Sequence, residues 1–125
     1  MIEIKYTPYL ILISFYEHAL EPDICFWKQE KAKDFTSKQS AFPPPDFIVE
    51  ILSDSTKERD YGIKKTDYAL HEVAEYWIID PENQYVEQYL LQNGQYELVF
   101  KSNHGMIESS VIHGFQMQVE DIFAA

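Results

Sequence analysis

The sequence is poor in cysteine, glycine and positive charge, with one Cys, four Gly and ten Lys plus Arg against twenty-one Asp plus Glu. A single Cys25 excludes an intramolecular disulfide and a cysteine zinc cluster, and it suits a reducing cytosol. With so few glycines there is no Gly-rich phosphate loop, which weighs against a hydrolase that closes a phosphate pocket around a small molecule. His18, His71, His104 and His113 show no metal-ligand spacing among themselves. Ser53 and Ser55 lack a Gly-x-Ser-x-Gly elbow, so capping explains them better than nucleophilic catalysis. The apolar stretch from Tyr9 to Tyr16 is too short to span a bilayer, and no basic n-region or cleavage site surrounds it. A cytoplasmic protein without a membrane partner is expected. A formal net charge of -11 argues against coating nucleic acid through bulk electrostatics, because affinity for phosphates comes mainly from Lys and Arg. A local patch is still compatible with DNA binding, since eight of the ten basic residues fall between Lys28 and Lys65.

What is present is a core. At 125 residues, 46% hydrophobic and 15% aromatic, the chain has the size of one compact domain. Ile2 to Tyr6 and Tyr9 to Tyr16 read as strands separated by Thr7-Pro8. Asp23 to Trp27 is a short strand with Asp23 at its mouth. Lys28 to Pro45 is polar and lysine-rich and closes on three prolines, which predicts an exposed, mobile loop with at most one helical turn. Phe47 to Leu52 is a buried strand. Ser55 followed by Glu58 forms a capping-box pattern that predicts a helix from about Lys57 to His71, with Tyr61, Lys64, Lys65 and Tyr68 on one side. Tyr76 to Asp80 is a second buried strand. Gln84 to Leu91 and Gln95 to Phe100 flank Gln92-Asn93-Gly94, the strongest hairpin signal in the sequence. Met106 to Ala125 predicts one short strand and a terminal turn that packs back through Val119, Ile122 and Phe123. The expected fold is α/β (α+β): a single domain with a mixed central sheet, a helix on one face and a C-terminal hairpin extending an edge.

One residue contradicts its surroundings. Glu50 interrupts the apolar run Phe47-Ile48-Val49-Glu50-Ile51-Leu52, and desolvating a carboxylate costs several kcal/mol unless a cation, metal or donors compensate. Lys64 and Asp23 are the candidates that could meet it at one sheet end. Two carboxylates on adjacent strands, with the carbonyl of Ile51, supply hard oxygen ligands of the kind magnesium takes. A divalent ion there would polarise a phosphodiester and acidify a bound water, with the Lys64 ammonium beside it. The plainer alternative is a buried structural ion pair between Glu50 and Lys64. Asp46 reads as a residue that opens a strand, and Tyr68 as packing with a possible hydrogen bond to Glu50 or substrate.

The spaced motifs Pro45-Asp46-Phe47-Ile48-Val49-Glu50-Ile51-Leu52-Ser53, then Ser55-Thr56, Asp60, Gly62, Lys64 and Tyr68, then Glu75-Tyr76-Trp77-Ile78-Ile79-Asp80-Pro81 resemble the Uma-two family of restriction endonucleases. That family belongs to the PD-(D/E)xK nuclease superfamily. The resemblance extends from Glu21-Pro22-Asp23-Ile24 to Asp121-Ile122-Phe123 and implies a restriction endonuclease-like fold. It implies catalytic Asp23, Glu50 and Lys64, with Asp23, Glu50 and Ile51 holding Mg2+ or Mn2+. Leu52 stands where the ExK lysine would be, so the lysine comes from the following helix, where Lys64 and Lys65 compete. Lys28, Lys31 and Lys33, with Tyr68, would contact a DNA substrate. Family members usually begin with a helical segment, whereas strand-like sequence follows Met1 here. This implies a shortened chain, and a sheet face that a second copy could cover in a homodimer. The alternative function is an inactive nuclease fold serving as an interaction or dimerisation module.

Overall fold

The computed structural model describes residues 2–6, 9–13, 22–36, 42–54, 58 and 61–124. Its order is β1 (Ile2–Tyr6), β2 (Tyr9–Ile13), β3 (Ile24–Lys28), α1 (Gln29–Ala32), β4 (Phe47–Ile51), α2 (Ile63–Leu70), β5 (Glu75–Asp80), β6 (Tyr85–Gln92), β7 (Gln95–Ser102), β8 (Met106–Glu108), β9 (Gln116–Gln118) and α3 (Val119–Ile122). Strands β1 to β7 form one sheet in sequential order, and β8 pairs with β9 in a separate two-stranded sheet. Only β4 and β5 run parallel in the large sheet. A parallel step needs a crossover, and α2 lies in it. No described helix is long and apolar enough to cross a membrane.

Strand alternation sorts the core into two layers. On the helix side, Cys25, Trp27, Ile48, Tyr76, Ile78 and Tyr89 pack with Tyr68 and Val73. On the other side, Phe47, Val49, Trp77 and Val86 pack with Ile107, Val111, Ile112 and Val119 of the C-terminal segment. Strands β4 and β5 are therefore covered on both faces, which is why they read as nearly continuous apolar runs. The β6–β7 hairpin turns through Asn93 and Gly94, both at positive φ, as a two-residue loop of this composition requires. Strand β7 is one edge of the sheet, with a register irregularity opposite Gln88 and Tyr89.

Two expectations change in detail, and the helix after β4 gains a break. Residues 58 and 61 are helical, in keeping with a start near Lys57, and the helix is interrupted at Gly62, the N-cap of α2, which has no side-chain cap. A Cβ on Gly62 would come within 2.9 Å of the Glu58 carbonyl, so this close approach favours glycine there. Ser55 and Asp60 lie outside the described residues. The Lys28–Pro45 segment is anchored at its described ends: Ala32 is buried, Phe35 and Phe42 pack on Trp27, and the Trp27 indole N–H donates to the Pro43 carbonyl at 2.9 Å. Its aromatic residues give it a place to pack that its lysine content concealed. Residues 37–41 are outside the described set. The C-terminal segment holds two strands rather than one.

Glu75 fastens that segment to the sheet. Its fully buried carboxylate accepts from the Trp77 indole at 2.7 Å, Gln88 Nε2 at 2.8 Å, Ser109 Oγ at 2.8 Å, and the backbone N–H groups of Ser110 at 3.0 Å and Val111 at 2.9 Å. Such charge-assisted bonds are roughly twice as strong as neutral ones.

Candidate active site

Glu50 projects from β4 toward the helix side and is 1% exposed, while Lys64 is 4% exposed. The Lys64 ammonium donates to Oε2 at 2.8 Å and the Tyr68 hydroxyl donates to Oε1 at 3.0 Å. Lys64 and Tyr68 are four residues apart, so they stack along one stripe of α2 and engage both carboxylate oxygens from the same side. Taking both charges out of water costs several kcal/mol per ion, and the short ionic hydrogen bonds offset that cost.

Asp23 reaches the same end of the sheet. The β3–β4 register runs to Ile24 opposite Val49, Asp23 precedes Ile24, and Glu50 follows Val49. Asp23 Oδ2 accepts the Ile51 N–H at 2.7 Å. In extended backbone the carbonyl of a residue faces the same strand edge as its N–H, so the Ile51 carbonyl is directed toward Asp23. Among the described residues no three His, Cys, Asp or Glu side chains converge as a metal cage. Two carboxylates and a carbonyl fit magnesium all the same, because that ion keeps several waters and is bound through one or two carboxylates plus substrate phosphate. A cleft of about 210 Å³ opens beside the C-terminal ends of β4 and β5, lined by Leu52, Ser53, Asp54, Asp80, Pro81 and Glu82.

The two helix lysines lie in different places. Lys64 meets Glu50, whereas the Lys65 ammonium sits 3.9 Å over the Tyr89 ring. Burial holds Lys65 below the ordinary lysine value, with Glu87 partly opposing the shift. Lys28, Lys31 and Lys33 are not brought to the site. They lie at or after the far end of β3, and a strand of five residues places its last residue, Lys28, roughly 16 Å from Asp23 along the chain direction. Lys31 is already paired with Asp46 at 2.9 Å, and Asp46 also accepts the Lys28 N–H at 2.8 Å. Asp46 thus closes the start of β4, as its sequence position suggests. His71, His104 and His113 are exposed, and His18 lies outside the described residues.

A further buried carboxylate lies on the helix side of β6. Glu87 on β6 is 3% exposed. It accepts from the Tyr61 hydroxyl at 2.9 Å and from the Tyr89 hydroxyl, and it lies 3.4 Å from the Lys101 ammonium. The Tyr61 hydroxyl also meets that of Tyr85 at 3.1 Å. Burial, reinforced by Glu87, raises the Tyr61 and Tyr89 phenols well above their ordinary value. Registers place Glu50 opposite Ile78 and Ile78 opposite Glu87, so the two buried acids share one cross-strand row. The alternation Tyr85, Glu87, Tyr89 was the available signal, because it aims an acid at the helix side.

Comparison with known proteins places this arrangement in a family. The model of the Uma2 family, described as "Putative restriction endonuclease", matches residues 7–120. The chain belongs to the Uma2 family. A solved structure described as a "putative nuclease belonging to DUF820", from Anabaena variabilis, shares its fold at a TM-score of 0.63 and 23% identity, over 82% of this chain. This Uma2 chain spans 58% of the length of that protein. No curated protein matches it.

Proposed function

We propose that this Uma2 chain is a magnesium- or manganese-dependent endodeoxyribonuclease that acts through Asp23, Glu50 and Lys64. The observation that carries the reading is a desolvated carboxylate, Glu50, held by an ammonium and a phenol, with a second carboxylate, Asp23 at the mouth of the adjacent strand, accepting the N–H of the next residue, Ile51. Asp23, Glu50 and the Ile51 carbonyl would hold the ion. A divalent ion bound there supplies Lewis-acid polarisation of the phosphodiester and a bound water of lowered pKa. Lys64 places a positive charge where negative charge develops on the phosphoryl oxygens and can donate to the attacking water. Tyr68 keeps the Glu50 carboxylate in one rotamer. Only interactions stronger in the transition state raise the rate, and a preorganised ammonium in a water-poor site satisfies that condition.

DNA would approach over the C-terminal ends of β4 and β5, where the described acids Asp54, Asp80 and Glu82 line the cleft. Such an edge repels phosphate until a cation is bound, so DNA affinity should itself depend on the divalent ion. Calorimetric titration with Mn2+ tests the site directly. The wild type should bind one ion, and Asp23→Asn and Glu50→Gln should each weaken it at least tenfold. Equal affinity in all three proteins would remove the assignment and leave a nuclease fold that serves another purpose.

A further inference from the structure

Helix α2 docks on the sheet through polar groups. Its buried residues are Lys64 and Tyr68, while Ile63 and Leu70 are 66% and 76% exposed. An eight-residue helix has little stability of its own, and apolar packing of this kind cannot fix how it is rotated. Its attachments are the Tyr68 ring packed edge-on against Tyr76 and a set of directional hydrogen bonds. Lys64 and Tyr68 bind Glu50 over β4. Tyr61, helical and just ahead of the Gly62 N-cap of α2, binds Glu87 over β6, and Lys65 covers Tyr89, which itself donates to Glu87. The two carboxylates stand in one row two strands apart, about 10 Å. With Glu50 alone the helix has a single pivot. With Glu87 it has two fixed points.

We infer that Glu87, gripped by Tyr61, is a positioning residue that sets the rotation of α2 on the sheet and so brings the Lys64 ammonium to Glu50. The inference rests on the proposed site and deepens it by giving the lysine its placement. Asp23, Glu50 and Ile51 belong to the sheet or its edge, so they hold their arrangement without this clamp. Losing the clamp therefore separates metal binding from turnover.

The test compares the wild type with Tyr61→Phe, which removes one hydroxyl and keeps the ring, and with Glu87→Gln, which stands in if the first variant does not fold. Ser109→Ala serves as the control, because it weakens the Glu75 anchor on the opposite side of the sheet and lowers the melting temperature without touching α2. Misplacement of a catalytic group by about 1 Å costs up to about 100-fold, so Tyr61→Phe should lower kcat by about 10- to 100-fold. Its Mn2+ affinity should change less than twofold, and Ser109→Ala should keep the wild-type kcat below its transition. In 15N NMR the slowly exchanging Lys64 ammonium signal of the wild type should be lost in Tyr61→Phe. A folded Tyr61→Phe protein that retains both kcat and the Lys64 signal overturns the inference. If the wild type cleaves nothing, the nuclease reading fails and the NMR signal alone decides. Its loss in the variant then supports the clamp, and its retention refutes it.

Discussion

Replacing the Glu50, Lys64 and Tyr68 set with apolar residues should separate stability from function. Lys64→Met leaves the Glu50 carboxylate, 1% exposed, without the ammonium that meets it at 2.8 Å. Breaking a buried pair from one side costs about 3–5 kcal/mol. Since a domain of this kind has only about 5–15 kcal/mol in total, the single variant should be close to unfolding at 37 °C. Glu50→Leu alone strands the Lys64 ammonium and should cost a similar amount. The triple variant Glu50→Leu, Lys64→Met, Tyr68→Phe removes both charges and the hydroxyl together. Replacing a buried pair with apolar residues of similar volume is neutral or stabilising by about 1–4 kcal/mol, so the triple should equal or exceed the wild type in urea unfolding while losing cleavage completely. Sites that cost stability are kept for what they do. A Lys64→Met loss below about 1 kcal/mol, or a triple variant less stable than either single, would show that the pair is neither desolvated nor coupled as described.

Other outcomes follow from the same geometry. Glu75→Gln replaces one acceptor oxygen with a donor and leaves the Trp77 indole or the Ser110 and Val111 N–H groups facing it. Unsatisfied buried groups cost about 1–3 kcal/mol each, so the melting temperature should drop and proteolysis should begin in the segment after Ser102. The phenols of Tyr61, Tyr89 and Tyr96 are all raised from the ordinary 10.0, first by burial. The folded state therefore keeps protons that the unfolded state releases above pH 10. Stability should fall as pH rises past 10, less steeply in Tyr61→Phe, and tyrosinate absorbance should appear together with unfolding. Neutralising Lys28, Lys31 and Lys33 with glutamine should leave kcat unchanged, because they stand at the far end of β3. The stability change should stay within about 1 kcal/mol, since the side chain of Lys31 in its pair with Asp46 is 41% exposed.

The candidate site was largely legible because its residues break local rules. Glu50 is a charge inside an apolar strand, and Lys64 and Tyr68 are spaced to share a helix stripe, so the sequence implies a partnership that the structure contains. The Asn93-Gly94 hairpin was legible for a similar reason, since the turn demands those residues. Glu75 and Glu87 were not legible. Glu75 takes three of its donors from residues 34 to 36 positions away, and Glu87 takes one from Tyr61, 26 positions back. Nothing local marks Glu75 as buried, and for Glu87 the only local signal is the alternation with Tyr85 and Tyr89. The placement of Lys28, Lys31 and Lys33 follows from strand direction. An antiparallel β3 that begins beside the site at Asp23 must carry Lys28 to the opposite end of the sheet. The helix expected from about Lys57 is helical at residues 58 and 61, and what spacing alone does not reveal is its break at Gly62, which makes a close contact with the Glu58 carbonyl.

The central claim is that Asp23, Glu50 and Lys64 form a metal-dependent phosphodiesterase centre. Its most direct test is cleavage of supercoiled plasmid DNA in Mg2+ and in Mn2+ by the wild type and by purified, folded Glu50→Gln. The account predicts nicking and linearisation by the wild type that stops in EDTA, with at least a hundredfold loss in the variant. Equal cleavage by both proteins, or none by either at any divalent ion concentration, would contradict it.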